Sequence, residues 1–167
     1  MTYRYMDYLI SESPIYTNEG KKIEVFHLDV QDDPEIFEEW AKQFRRNYCS
    51  DDELDEMVSS MNITSKKYLV DFKLPSDNSL GRSTMSGDFG EILVSDYLQI
   101  IEEYVVPRTR YDSKVNKDSS TQGSDVIGYK KDPLNTANDE VVVIEVKSSS
   151  SNSKSCEAKN KLQVAIN

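Results

Sequence analysis

Apolar and polar positions alternate near the start of the chain, take helical spacing through its middle, and alternate again towards its end. Lys21-Ile-Glu-Val-Phe-His27-Leu-Asp-Val30 has a period of two and predicts a half-buried strand. Ile36, Phe37, Trp40, Ala41 and Phe44 follow Asp33-Pro34-Glu35 at helical spacing, with proline suited to the first helical position. Ser50 or Asp51 begins a second helix through Leu54, Met57 and Val58. Lys67-Tyr-Leu-Val-Asp-Phe-Lys-Leu74 fits helix and strand alike, and Pro75 ends it. Ser76 to Ser83 is rich in Ser, Asp, Asn and Gly and reads as a loop, which sets the subdomain boundary there.

A further helix is predicted from Gly87-Asp88-Phe89-Gly90-Glu91 through Ile92, Leu93, Tyr97, Leu98, Ile100 and Ile101 to near Tyr104, capped by Ser86 or Asp88. A strand is expected from Tyr104 to Val115. Gly123-Ser124-Asp125 then opens a short apolar strand, Lys131 to Asn138 forms a polar hairpin loop, and Val141-Val-Val-Ile-Glu145-Val-Lys147 forms the next strand. Its four β-branched residues are expected to be buried.

Because side chains alternate along a strand, Glu145 and Lys147 point to one side and Ile144 and Val146 to the other. A carboxylate beside an ammonium suits a site that also takes a divalent cation and a phosphate. The acid would bind a hard cation such as Mg²⁺ or Mn²⁺ through oxygen, and the lysine would meet the anionic transition state. Asp125 on the adjacent strand is the second candidate ligand, and the Val146 backbone carbonyl supplies a third oxygen. The spacing alone is unspecific, since Glu19/Lys21, Asp71/Lys73, Asp112/Lys114 and Glu157/Lys159 repeat it and a solvated ion pair is the default for each. What distinguishes Glu145/Lys147 is the apolar run it ends and the Gly-Ser-Asp strand before it. Glu91 is either an ordinary first-turn acid or a third carboxylate aimed into the cleft. Gly87 and Gly90 favour the latter by leaving room for close approach.

The order of helix with Glu91, strand, strand with Asp125, strand with Glu145 and Lys147, and a helix from about Ser155 resembles the PD-(D/E)xK nuclease superfamily. That resemblance implies an α/β (α+β) fold, a restriction-endonuclease-like mixed sheet flanked by helices, behind a mostly helical N-terminal region. Gly-Asp-Phe-Gly-Glu91-Ile-Leu, Val106-Pro-Arg108-Thr-Arg110, Gln122-Gly-Ser-Asp125 and Ile144-Glu-Val-Lys147-Ser are, more closely, similar to the HamA family, nuclease subunits of the Hachiman antiphage defence system. The resemblance covers Ser86 to Asn167. It implies a Mg²⁺-dependent deoxyribonuclease acting on DNA and restrained by a superfamily 2 helicase partner. Residues 1–75 then form an acidic strand-plus-helix region and 84–167 a nuclease-like core. The superfamily core continues into another strand, whereas this chain ends at Asn167, with the helix expected over Lys154 to Ala165 reading as unfinished. The core is therefore expected to be incomplete or finished by another chain, and the alternative is a non-catalytic module that binds DNA or the helicase.

A chain of 167 residues suits one domain with a real core, or a core with an extension. It has no transmembrane-length apolar run and no signal-peptide core, so a soluble, cytoplasmic protein is expected. Cys49 and Cys156 lie outside any metal-ligand spacing. His27 is the single histidine, so mechanisms built on histidine pairs lack their parts, and no nucleophile elbow or Walker loop is present.

The net charge of −10 opposes nucleic-acid binding, but it is unevenly spread. Residues 1–104 carry 10 basic and 22 acidic side chains, and 105–167 carry 10 basic and 8 acidic. Arg108, Arg110, Lys114, Lys117, Lys130 and Lys131 could line a phosphate track, or simply solvate the hairpins. The acidic surplus from Asp29 to Glu56 marks exposed helix faces or, more sharply, a surface for a basic partner.

Overall fold

Polar side chains set where the helices begin in the computed structural model, which describes residues 3–111, 114–120 and 123–148. Asp33 accepts N–H bonds from Glu35 and Ile36 at 3.0 and 3.2 Å where α1, Pro34–Arg46, starts. Ser50 accepts from Glu53 at 3.1 Å and opens α2, Asp51–Met61, which ends on Asn62 in the left-handed conformation. Thr64 caps α3, Ser65–Tyr68, and Asn78 caps α4, Ser79–Asp96, by accepting the Gly81 N–H at 2.8 Å. Each cap satisfies a donor that the helix cannot, and contributes about 1 kcal/mol.

Two segments differ from expectation. The helix carrying Glu91 starts at Ser79 and not near Gly87, because Asn78 is its cap and Ser86 and Asp88 are not. Much of the stretch read as a loop is therefore helical, and Asp88 is a buried residue within the helix. The ambiguous Lys67 to Leu74 segment is helical too: α3 runs into a π-helical turn at Leu69–Lys73, and Leu74 is extended, as a residue before proline prefers.

The chain divides into two units, Met1–Gln43 and Phe44–Asn167. Residues 76–83, expected to separate the halves, fall within the second. In the first unit β1 (Leu9–Ser11) pairs with β4 (Phe26–Leu28), and β2 (Ile15–Tyr16) with β3 (Lys22–Ile23), all antiparallel. The single strand predicted over Lys21 to Val30 is thus two, because the chain changes partner between Ile23 and Phe26. Tyr5 stacks on Trp40 with ring centroids 5.3 Å apart, and Glu39 accepts both the Arg4 backbone N–H and its Nε.

The second unit contains the hairpin of β5 (Val126–Lys130) and β6 (Glu140–Ile144), in register from Val126↔Ile144 to Lys130↔Glu140. Val105 bridges to Tyr129 on the other edge of β5, exchanging N–H bonds of 2.8 and 3.0 Å. Among the described residues this bridge is all that forms of the strand expected over Tyr104 to Val115. Pro107 has no N–H to extend it, and the side chains of Arg108, Arg110 and Tyr111 have partners elsewhere. All strand pairs among the described residues are antiparallel, and the structure is mixed α+β.

One face of the hairpin, Val126, Val142, Ile144 and Val146, packs on Leu98, Val94, Tyr97 and Val106. Gly128 leaves room for Tyr104, whose Cβ would lie 3.2 Å from a methyl there. The other face is open: Val141 and Val143 are 73% and 60% exposed, so the β-branched run is half-buried, and on one side only, as the strand period dictates. A second cluster joins Tyr48, Ile92 and Tyr111 with Phe44 and Leu74. Gln122, Cys156, the serine run after Ser148 and the helix expected over Lys154 to Ala165 lie outside the described residues. No helix among the described residues is long and apolar enough to cross a membrane.

Candidate functional site

The hairpin register ends at Val126↔Ile144, and Asp125 and Glu145 are the residues immediately outside that last pair. Asp125 Oδ2 accepts the Val146 backbone N–H at 2.7 Å and closes the open end of the hairpin. Lys147 Nζ pairs with Glu145 Oε1. That hydrogen bond holds the ammonium above the ordinary lysine value, and the charges of Asp125 and Glu91 add to the effect. Lys147 therefore stays protonated in the field of three carboxylates.

Helix α4 brings Glu91 to the same end of the hairpin, and Gly90 is what allows the approach. A methyl at Gly90 would stand 3.3 Å from Ser148 Cβ and 3.4 Å from Val146 Cγ1, whereas one at Gly87 would meet nothing within 4 Å. Glu91 Oε2 accepts from the Tyr111 hydroxyl at 2.8 Å and pairs with Arg110 Nε at 3.4 Å. Burial pushes the Glu91 carboxyl up from its ordinary value, while Tyr111 and Arg110 pull it back. Arg110 also pairs with Asp125 Oδ1 at 3.3 Å and donates to the Ser124 carbonyl. One guanidinium thus spans Glu91 and Asp125.

Behind Glu91 lies a second polar cluster. Asp88 Oδ2 accepts from the Tyr48 hydroxyl and from Lys114 Nζ, each at 2.6 Å. The Lys114 ammonium also stands over the Tyr48 and Tyr111 rings, 5.7 and 5.4 Å from their centroids. Burial raises both phenols, helped by Asp88 for Tyr48 and by Glu91 for Tyr111, so both remain neutral donors. Sequence reasoning does not single out Asp88, Tyr48 and Tyr111 for this role. The three-residue spacing of Asp88 and Glu91 on one helix was a usable signal. Nothing marked these two among ten tyrosines.

The other basic candidates are dispersed. Arg108 pairs with Asp96 at 2.6 Å, and donates to Asn47 at 3.1 Å and Gln99 at 2.8 Å. Lys117 donates to the Val70 carbonyl at 2.6 Å, Lys130 stands over the Tyr104 ring at 4.6 Å, and Lys131 is exposed. A cleft of about 350 Å³ beside Asp125 is lined by Pro107, Arg108, Arg110, Ser124 and Ile127 among others. His27 is exposed on β4, opposite Ile10.

Among the described residues, no group of three or more acidic, histidine or cysteine side chains is gathered closely enough to hold a metal ion. Asp125 and Glu145 offer a different fit. They are hard oxygen donors at one end of a hairpin, suited to a cation that keeps much of its water and is held by one or two carboxylates. Among the described residues, softer ions that prefer thiolate or imidazole find no such ligands beside them.

A family model, HamA, matches residues 4–167. Neither the curated proteins nor the solved structures contain a match.

Proposed function

This chain belongs to the HamA family, a component of the Hachiman antiphage defence system, and on that premise we propose that it is a metal-dependent deoxyribonuclease with a PD-(D/E)xK-type site. What supports the reading is the end of the hairpin, where Asp125 and Glu145 flank the last strand pair and Lys147 pairs with Glu145. The fold proposed with it is a restriction-endonuclease-like core built on α4, the Val105 bridge, β5 and β6.

Asp125 and Glu145 would hold Mg²⁺ or Mn²⁺, with the Val146 carbonyl and Glu91 as further oxygen donors. When bound, such a cation lowers the pKa of a water and offsets phosphate charge. Lys147, kept protonated by Glu145, orients the attacking water and meets the negative charge that develops on the phosphate oxygens. Tyr111 and Arg110 fix the Glu91 carboxylate so that it does not turn away. Contact with DNA is assigned to the half from Val105 onward, where basic residues outnumber acidic ones, through Arg108, Arg110 and Lys117. Hachiman membership supports a partner subunit, taken here to be a superfamily 2 helicase that restrains cleavage until DNA damage or invasion.

The test incubates the full chain, alone and with its helicase, with circular and linear DNA and Mg²⁺. Glu145→Ala with Lys147→Ala is expected to abolish cleavage while circular dichroism stays unchanged, and cleavage retained by that folded double variant would sink the assignment. A second reading, a non-catalytic module that binds DNA or the helicase, is favoured by one observation: Glu145 and Lys147 neutralise each other, and among the described residues no three-ligand cluster surrounds them. It wins if the unaltered chain cuts neither substrate with or without the helicase.

A further inference from the structure

We propose that Arg110 is a positioning residue that holds Asp125 and Glu91 in the cation-free protein and must release Asp125 when a divalent cation binds, so that it sets the cation affinity of the site. The inference rests on the assignment of Asp125 as a ligand. Its basis is the span of one guanidinium: Nε to Glu91 at 3.4 Å, Nη2 to Asp125 at 3.3 Å, and Nη1 to the Ser124 carbonyl. The three side chains are only 16%, 14% and 13% exposed for Arg110, Glu91 and Asp125, so water screens their charges weakly.

Two carboxylates at this depth repel unless a cation stands between them, and arginine is the side chain that never gives up its proton. Arg110 therefore does for Glu91 and Asp125 what a divalent ion would otherwise do. Both draw on the negative charge of the same Asp125 oxygen. A doubly charged ion arriving at Asp125 meets a positive charge already in place and competes with its N–H group for Oδ1. Exchange does not strand the guanidinium, because Glu91 and the Ser124 carbonyl still accept from it. Asp125 in turn keeps its Val146 hydrogen bond through the other oxygen. The site is thus arranged for exchange of cations at one carboxylate oxygen, with Glu91 as the anchor on which Arg110 waits.

Mn²⁺ titration of the full chain by calorimetry tests this in the unaltered protein, Arg110→Gln and Arg110→Lys. Removing the charge is expected to tighten Mn²⁺ binding by about tenfold or more, and lysine, which keeps it, to stay close to the original affinity. Binding in Arg110→Gln that is equal or weaker overturns the inference and leaves the nuclease site standing. So does equal tightening in both variants, since charge would then not be the cause. Failure of all three proteins to bind Mn²⁺ removes the inference and the nuclease reading together. The unaltered chain gives an independent check should Arg110→Gln not fold: saturating Mg²⁺ is expected to shift the Arg110 Nη2–H resonances, whose partner is Asp125. A resonance that stays fixed while Mg²⁺ binds overturns the proposal.

Discussion

Lys114 and Asp88 meet at 2.6 Å with their side chains 3% and 5% exposed, an ion pair almost wholly withdrawn from water. Such a pair adds little net stability over a well-packed apolar pair, but losing one member is severe. Lys114→Met is expected to lower the unfolding free energy by about 3 to 5 kcal/mol, because among the described residues Asp88 keeps only the Tyr48 hydroxyl. Lys114→Met with Asp88→Leu should recover most of that loss in urea titrations. A double variant as unstable as the single one would show that the pair does more than neutralise itself.

Arg108 faces Asp96, whose side chain is 1% exposed. Arg108→Met should therefore destabilise the fold by about 3 kcal/mol. If instead Arg108 serves only to bind DNA, the variant will melt like the original and lose DNA affinity alone.

Asp51 sits at the start of α2 beside the last residues of α1. Hydrogen bonds from Arg46 and Arg45 pull its carboxyl from 3.8 down to about 2. A depressed carboxyl binds its proton less readily when folded than when unfolded. Its contribution is fully present above about pH 4 and is lost as the pH falls towards 2. The group is half exposed, which limits the effect to about 1 kcal/mol or less. Asp51→Asn should narrow the gap to the original protein across that window, and a stability difference flat from pH 5 to about 2 would contradict the pairing.

Two glycines in α4 should respond in opposite directions. A methyl at Gly81 would lie 2.0 Å from the Ser76 carbonyl oxygen, so Gly81→Ala must distort the backbone or open the cap. Gly87 has open space, and Gly87→Ala is expected to stabilise the helix by about 0.5 to 1 kcal/mol. Thermal melts of the two variants should move to either side of the original.

The parts of this fold legible in sequence are those whose signals are local. Asp33 before Pro34, and Ser50 before an acidic first turn, each announce a helix within four residues, and the structure starts α1 and α2 there. The β5–β6 hairpin follows from apolar strands on either side of a polar loop. Asn78 was illegible because it lies in a string of Ser, Asp and Asn that suits a loop as well as a cap. The burial of Val141 to Ile144 was overstated because a continuous apolar run does not say how many faces are covered. Arg108, Arg110 and Lys114 displayed charge but not partners, and those partners lie between 9 and 61 residues away along the chain. Only folding brings Asp96, Glu91 and Asp88 to them.

Glu91 rides on a helix, while Asp125 and Glu145 sit just beyond the ends of β5 and β6, and the gap between these carriers is gauged at Gly90. With a hydrogen there the helix seats directly against Val146 and Ser148; with a methyl the neighbours must give by a few tenths of an ångström. The jaw width of the candidate site is therefore written at a position with no side chain, so a variant with every carboxylate intact could still be built to the wrong gauge.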